Sequence, residues 1–258
     1  REVDKVVIVA CGTAFHAGLV AAAADAGVSL HPKVAVTSVD PAPGAGGRVE
    51  VRTAAGTVHA RDVLLATNAY ADGAYPHLER KVLPMGSFII ATEPLPAELA
   101  ATVLPTRRMA FNDRNLLWYW RHGPDGRLLF GGRRRLGKIG LDEARDHLRD
   151  SMVRVHPQLR DVRVERVWGG LVALTLDRLP HCGVERGVWY ATGCNGSGVA
   201  LNTWMGHRMA RAILGEELPP FAELPHRSIP LRSLRSMWLP VVGKWFELQD
   251  RRGDRDAA

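Results

Sequence analysis

The sequence predicts an α/β chain in which both ends contribute a parallel α/β part and an antiparallel sheet is inserted between them. Three observations predict it. Near the start, the run Val6–Ala10 enters Cys11-Gly12-Thr13 and then a stretch of small residues, the order of a strand, a polar turn and a helix. Near the end, GVWYATGCNGSGVALNTWMGHRMARAILG (187–215) has the same order, with glycines in the turn. Between the two lie strand-like runs joined by turn residues.

The elements follow in chain order. Residues 5–10 read as a buried strand and 14–26 as an Ala-rich helix that Gly27 ends. KVAVTSVD (33–40) alternates as a strand, PAPGAGG (41–47) is a flexible hairpin tip, and RVEVRT (48–53) returns as the partner strand. GTVHARDVLLATNAYAD then gives a short strand, a turn and a buried strand Val63–Ala66 that exits into Thr67-Asn68. A buried strand with a polar exit suits a parallel sheet, where ligands sit at the C-terminal strand ends. SFIIATEPL (87–95), NLLWYWRH (115–122) and RLLFGGRRR (127–135) are the antiparallel strands, with Pro124-Asp125-Gly126 as a turn. In 142–159, Ala144, Leu148, Met152 and Val155 fall near helical spacing. VRVERVWGGLVALT (162–175) returns to strand. Strand Val188–Ala191 then leads through Gly193, Gly196 and Gly198 into a helix closed by Gly215. The Pro- and Arg-rich tail is expected to pack on the surface and fray.

Bulk properties narrow the class. With 258 residues, 46% hydrophobic and 24% charged, the chain is globular, and no apolar run reaches membrane-spanning length. No charged-then-apolar leader opens it. It begins with Arg1, which is expected of a chain that starts inside a longer product, and processing would do the same. Cys11, Cys182 and Cys194 form no CxxC pair, which points to a reducing, cytoplasmic setting without structural zinc or another metal site. The net charge of +7 comes from scattered arginines, such as 107–108, 133–135 and 251–252. No helix carries a basic stripe, so neither nucleic acid nor a membrane is expected as partner. A few arginines could meet an anionic cofactor or substrate.

The turn after Ala191 carries the most chemistry. Its glycines let a ligand approach the backbone. The helix that follows offers free N–H groups and a partial positive charge. An electron-rich heterocycle held there is stabilised as it accepts electrons. An ordinary glycine-rich strand-to-helix turn has the same pattern.

Segments in order narrow this choice. AGVSLHPKVAVTSVD, ARDVLLATNAYAD, VLPMGSFIIATEPL, DGRLLFGGR, VWGGLVALTLDRLPHCG and GCNGSGVALNTWMGHRMA together resemble the FAD-dependent oxidoreductases of the D-amino-acid oxidase type. The likeness is greatest to their amine-oxidising branch, which includes gamma-glutamylputrescine oxidoreductases. The resemblance implies a partial Rossmann-like FAD-binding domain (21–85 and 165–225), an antiparallel substrate-binding domain (86–164) and a C-terminal tail (226–258). It implies that Gly193, Asn195, Gly196, Ser197, Gly198 and Val199 face the flavin pyrimidine edge. Thr67 and Asn68 would lie near the FAD phosphates or ribose, and Leu176, Asp177, Leu179 and Pro180 beside the isoalloxazine. Tyr119, Trp120 and Arg121 would line the substrate pocket, although alternation on a strand would also send Trp118 or Trp120 into a core.

The implied chemistry is hydride transfer from the carbon next to an amine to the flavin, with water hydrolysing the imine and oxygen or an unidentified carrier taking the electrons. No acid–base dyad is required. His181, beside Cys182, is a candidate that also reads as structural. Family members acting on amino acids place an Arg after the WxGL segment to fork onto the substrate carboxylate. Here Trp168-Gly169-Gly170-Leu171 is followed by Val172, which favours an amine without an α-carboxylate. Arg121 or Arg133 could supply charge from elsewhere.

The front departs from this family. No GxGxxG turn is present, and no Asp or Glu ends a second strand at the fingerprint spacing. REVDKVVIVACGTAFHAGLV (1–20) instead resembles the start of the sugar isomerase domain of glutamine–fructose-6-phosphate aminotransferase, which implies a phosphate near Cys11, Gly12 and Thr13. The front therefore reads as a graft on a truncated oxidoreductase. A non-catalytic remnant of the same fold and a sugar-phosphate-binding protein remain as alternatives.

Overall fold

The computed structural model describes residues 2–10, 22–41, 48–71, 73–106, 108–133, 136 and 139–256. The chain forms two compact units, Arg1–Pro84 with Val172–Arg232, and Met85–Leu171 with Ser233–Ala258.

The first unit is built on a six-stranded sheet. Its centre is β4 (Gly56–Ala66), 11 residues long. The sequence reading divided this stretch into two strands, and the structure corrects that. Nothing in HARD forces a turn, because it holds neither Gly nor Pro. The irregularity falls instead on β1 (Glu2–Ala10), whose register slips between Val3 and Val6 against Ala60 and Asp62. One edge of β4 pairs with parallel β1. Its other edge pairs first with antiparallel β3 (Val49–Thr53) and then, at Leu64–Leu65, with parallel β11 (Val188–Thr192). Strands β2 (Val36–Asp40) and β10 (His181–Glu185) complete the sheet, antiparallel to β3 and β11. Strand β2 starts later than the alternation suggests, because Lys33 turns with φ +64°.

Both faces of β4 are covered near its C-terminal end. Val63 and Leu65 join Val39, Val51, Tyr75, Leu78 and Val188 on one side, with α1 (Pro76–Glu79) contributing Leu78. Leu64 joins Met205 and Met209 on the other. These methionines stand four apart on a 16-residue helix, Gly198–Ile213, and so share one face.

The second unit holds the expected antiparallel sheet, in the order β6-β7-β8-β5-β9. The strands are β5 (Leu83–Pro94), β6 (Ala110–Phe111), β7 (Trp118–His122), β8 (Arg127–Gly132) and β9 (Val164–Leu174). Alternation sends Ile90, Trp118, Leu128 and Phe130 to one face, where Leu148 and Met152 meet them. Those two come from α3 (Leu141–Val155), which follows the short α2 (Ala97–Val103). Helix α3 stops before the expected residue 159, because Pro157 holds His156 extended and a 3-10 turn takes over at Pro157–Leu159.

The tail departs furthest from expectation. Residues Arg235–Asp256 form a 22-residue helix, α5, where the sequence reading left a fraying segment; Gly198–Ile213 is accordingly α4. Helix α5 is docked. The buried Asp250 accepts hydrogen bonds from the Asn115 and Leu116 backbone N–H groups at 2.9 and 3.1 Å. Gly243 lies so close to Leu136 that a Cβ there would sit 3.3 Å from its backbone nitrogen. Two expected segments, 14–21 of the first helix and the hairpin tip 42–47, lie outside the described residues.

Candidate functional site

Strands β1, β4 and β11 run parallel, so their C-terminal ends reach the same edge of the sheet. Ala10 pairs with Ala66, and Tyr190 pairs with Leu65. The residues that leave β4 and β11 there are Thr67-Asn68 and Gly193-Cys194-Asn195.

The structure brings these two exits together. Asn68 turns into the left-handed region (φ +51°), which its short polar side chain tolerates. Its Nδ2 donates to the Cys194 Sγ at 3.3 Å, and its Oδ1 accepts from the Cys194 N–H at 3.5 Å. Gly193, Asn195 and Gly196 all have positive φ, at +75°, +49° and +105°. At Gly193 space is limiting as well, since a Cβ would lie 2.5 Å from the Thr175 Cγ2.

Asn195 is the brace of the turn. Its Nδ2 donates to the Gly193 carbonyl at 2.6 Å and its Oδ1 accepts from the Thr175 N–H at 3.2 Å. Its own N–H donates to the Ala173 carbonyl at 3.1 Å. Thr175, which sequence reasoning missed, is 5% exposed and donates to the Leu179 carbonyl at 2.8 Å. No sequence signal separates it from any other strand-end threonine. Val172 is half-buried on β9, one residue before Ala173, so the position that carries an Arg in the amino-acid branch lies beside the braced turn.

Two features leave this cradle open to a ligand. Ser197 precedes α4, and among the described residues no side chain caps that helix; no acidic residue occupies its first turn. The first-turn N–H groups and the positive end of the helix dipole thus keep their capacity for an electron-rich or anionic group. Thr67 is 93% buried (7% exposed), and among the described residues its hydroxyl has no hydrogen-bond partner. A buried polar group without a partner costs free energy, and a ligand's polar atom would remove that cost. Around the turn, Val199, Leu176 and Leu179 are 56%, 52% and 44% exposed, an apolar surround suited to a flat ring. The residues therefore fit a dinucleotide with a ring system of this kind.

His181 has a structural place. It is 1% exposed, hydrogen-bonded through Nε2 to Asp177 at 3.1 Å and stacked on His226 with centroids 4.1 Å apart. Burial raises the Asp177 carboxyl, but hydrogen bonds from His181 and the Leu179 N–H outweigh that and leave it below its ordinary value. Burial first, then His181 and Lys81, push His226 down to about 3. Leu176, Asp177, Pro225, His226 and Arg227 line a cavity of about 320 Å³. The neighbouring Cys182 thiol is pushed up to about 11 by burial, too high for a nucleophile near neutrality.

The remaining candidates stand on the second unit. Trp120 stacks on Phe130 at 5.7 Å and Trp118 is 5% exposed, so both belong to the core; this corrects Trp120 as a pocket residue. Alternation puts Tyr119 and Arg121 on the opposite face. Tyr119 lies over Gly131, where a Cβ would come within 2.4 Å of its ring, and its hydroxyl is 3.2 Å from the Ser87 Oγ. Cys11, Gly12 and Thr13 lie outside the described residues.

The fold joins an α/β unit in sequence to an antiparallel-sheet unit. The chain belongs to the FAD dependent oxidoreductase family (DAO), whose sequence model matches residues 7–212. That match includes residues 7–20 of the front, and no comparison supports the expected likeness of the front to a sugar isomerase domain. The chain is 37% identical over 205 residues to the oxidoreductase OrdL of Haemophilus influenzae, covering 78% of this chain and 46% of that protein. It is 34% identical over 208 residues to the gamma-glutamylputrescine oxidoreductase of Escherichia coli, covering 79% and 49%. The fold is similar to that of glycine oxidase from Geobacillus kaustophilus, with a TM-score of 0.67 at 23% identity over 83% of this chain and 56% of that one. The chain thus spans about half the length of the curated relatives it matches. Among the described residues no helix is long and apolar enough to cross a membrane, and no group of three His, Cys, Asp or Glu is placed to hold a metal ion.

Proposed function

We propose that this chain holds FAD at the Thr67-Asn68 and Gly193–Val199 cradle and takes part in the oxidation of a small amine. The observation that carries this reading is the buried Thr67 hydroxyl, without a partner among the described residues, in the strand exit next to a glycine-led helix N-terminus that no described side chain caps. FAD, when bound, supplies the acceptor for a hydride leaving the carbon next to an amine nitrogen. Asn195 fixes the turn through three backbone contacts, and the α4 N-terminus favours negative charge on the group that it faces. Val199, Leu176 and Leu179 exclude water from a ring laid against them. Val172 offers no cation to an α-carboxylate, which favours an amine lacking one. Oxygen is the simplest electron acceptor, and a cytoplasmic setting agrees with three thiols and no CxxC pair.

The test is the visible spectrum of the purified chain before and after adding FAD, with released flavin identified and amines then screened for bleaching. A bound-flavin spectrum bleached by amines that lack an α-carboxylate is expected. A colourless protein that ignores FAD would leave a non-catalytic module of the same fold.

A further inference from the structure

Residues 224–229 form a strap on the first unit. Before it, the 3-10 turn Pro220–Glu223 is packed down by Phe221, whose ring lies 5.1 Å from that of Trp204 on α4. After it, Arg232 donates to the Val82 carbonyl at 3.0 Å and pairs with Glu79 at 2.6 Å. Between these anchors Leu224, Pro225, Arg227 and Ser228 are exposed. Two groups of the strap turn inward. The Ile229 N–H donates to the Arg80 carbonyl at 2.9 Å. The His226 ring lies flat on the buried His181 of β10, with centroids 4.1 Å apart and 6° between the planes.

The strap also walls a cavity. Pro225, His226 and Arg227 line the space of about 320 Å³ together with Leu176 and Asp177. Lifting the strap removes that wall and opens the space beside Leu176, which belongs to the apolar surround of the glycine turn.

A proton loosens this latch. Both ring nitrogens of His226 are buried from water. Facing the ring are His181 and Asp177, Tyr190 of β11 with its ring 5.7 Å away, and Lys81, which pairs with Glu185 at 2.7 Å; Arg227 is its neighbour on the strap. Among the described residues both of these carboxylates are engaged, Asp177 by His181 at 3.1 Å and Glu185 by Lys81. A proton on the docked His226 would be cut off from water and set against His181 and Lys81. In the lifted strap water solvates the same proton, so acid favours the open form.

We propose that residues 224–229 are an acid-released strap, latched at neutral pH by the His226 ring on His181, that closes the cavity over Leu176 and Asp177. The latch needs no flavin, so it stands or falls apart from the cofactor reading. A free histidine takes up its proton near 6.5, and the opening constant therefore rises about a hundredfold between pH 7 and pH 4.5. Hydrogen exchange of the whole chain tests this, followed at the Ile229 amide by NMR and corrected for the intrinsic pH dependence of exchange. Protection at Ile229 is expected to fall by about a hundredfold over that range. Ile229 should also exchange faster than the strand amides of β4 and β11 throughout, which marks an opening short of unfolding. His226→Phe keeps a flat ring that takes no proton, so most of the acid effect disappears. His226→Ala removes the latch, and Ile229 loses protection already at pH 7. Unchanged protection of the wild type in acid overturns the proposal, and so does a full acid effect in His226→Phe. Exchange of Ile229 only in step with the strand amides overturns it as well, and that wild-type comparison decides even where a variant fails to fold.

Discussion

Among the described residues the buried Thr67 hydroxyl has no partner, which makes it the residue where stability and ligand affinity pull in opposite directions. Replacing it by valine keeps the shape and removes the unsatisfied group, which restores up to about 1 kcal/mol to the ligand-free protein. The same change removes a hydrogen bond that FAD would make, so flavin affinity falls by about tenfold. Thermal melts without flavin and flavin titrations check the two arms, and a variant that loses both stability and affinity would contradict the assignment. At Gly193 both effects have one sign. A methyl there meets the Thr175 Cγ2 at 2.5 Å and requires φ +75° of an L-residue. Gly193→Ala is expected to cost about 1–3 kcal/mol and to loosen the brace at Asn195, as read by urea unfolding and flavin release. Glycine, asparagine and threonine at strand exits announce such positions in a sequence. Which hydroxyl stays unpaired does not show there, because it depends on contacts between residues more than a hundred positions apart, such as Asn68 with Cys194.

At the scale of elements, the stacked pair His181 and His226 joins β10 to the segment that follows a 3-10 turn at Pro220–Glu223. That segment is also held by the Ile229 N–H on the Arg80 carbonyl at 2.9 Å and by Arg232 with Glu79 at 2.6 Å. Lys81, Glu185, Tyr190, Asp177 and Arg227 are the ionisable groups around the stack. His226 titrates near 3 when folded and near 6.5 when unfolded, so between these values the unfolded chain binds the extra proton. Stability is therefore complete above about pH 6.5 and falls as the pH drops toward 3. Burial lowers His156 as well, which adds the same sign, whereas the lowered carboxylates Glu93 and Asp177 act below about pH 4.5. Urea midpoints measured between pH 7 and pH 4.5 should fall with pH, and His226→Phe should make that slope shallower. An unchanged slope would remove His226 as its source. The antiparallel strands were legible because alternation survives in WYWRH and RLLFGG. Alternation also decides that Tyr119 and Trp120 cannot share a role, which composition alone leaves open. The unbroken β4 was not legible, because the bulge that accommodates its turn of register lies on β1. Helix α5 was hidden by Pro240 in its interior and by an apolar face that points outward, against the usual pattern of a docked helix.

At the scale of the molecule, the two units carry separate cores. Val39, Val51, Val63, Leu65 and Leu78 define one, and Ile90, Leu128, Phe130, Leu148 and Met152 the other. A chain with two cores need not unfold in one step. The seven tryptophans report on the cores unequally. Trp118, Trp120, Trp168, Trp238 and Trp245 lie in the second unit and only Trp189 and Trp204 in the first, so fluorescence follows mainly the second, while far-ultraviolet circular dichroism follows both. Leu148 is 1% exposed and packs from α3 onto the antiparallel sheet, so Leu148→Ala should cost about 2–5 kcal/mol in that core. The fluorescence midpoint in urea should shift down by more than the dichroism midpoint. Val63→Ala, fully buried in the other core, should reverse the order. Bound FAD would raise the transition of the first unit, since its cradle residues from Thr67 to Val199 all belong there. Coincident midpoints in both variants would mean that the chain unfolds as one cooperative body, and flavin would then stabilise both probes alike.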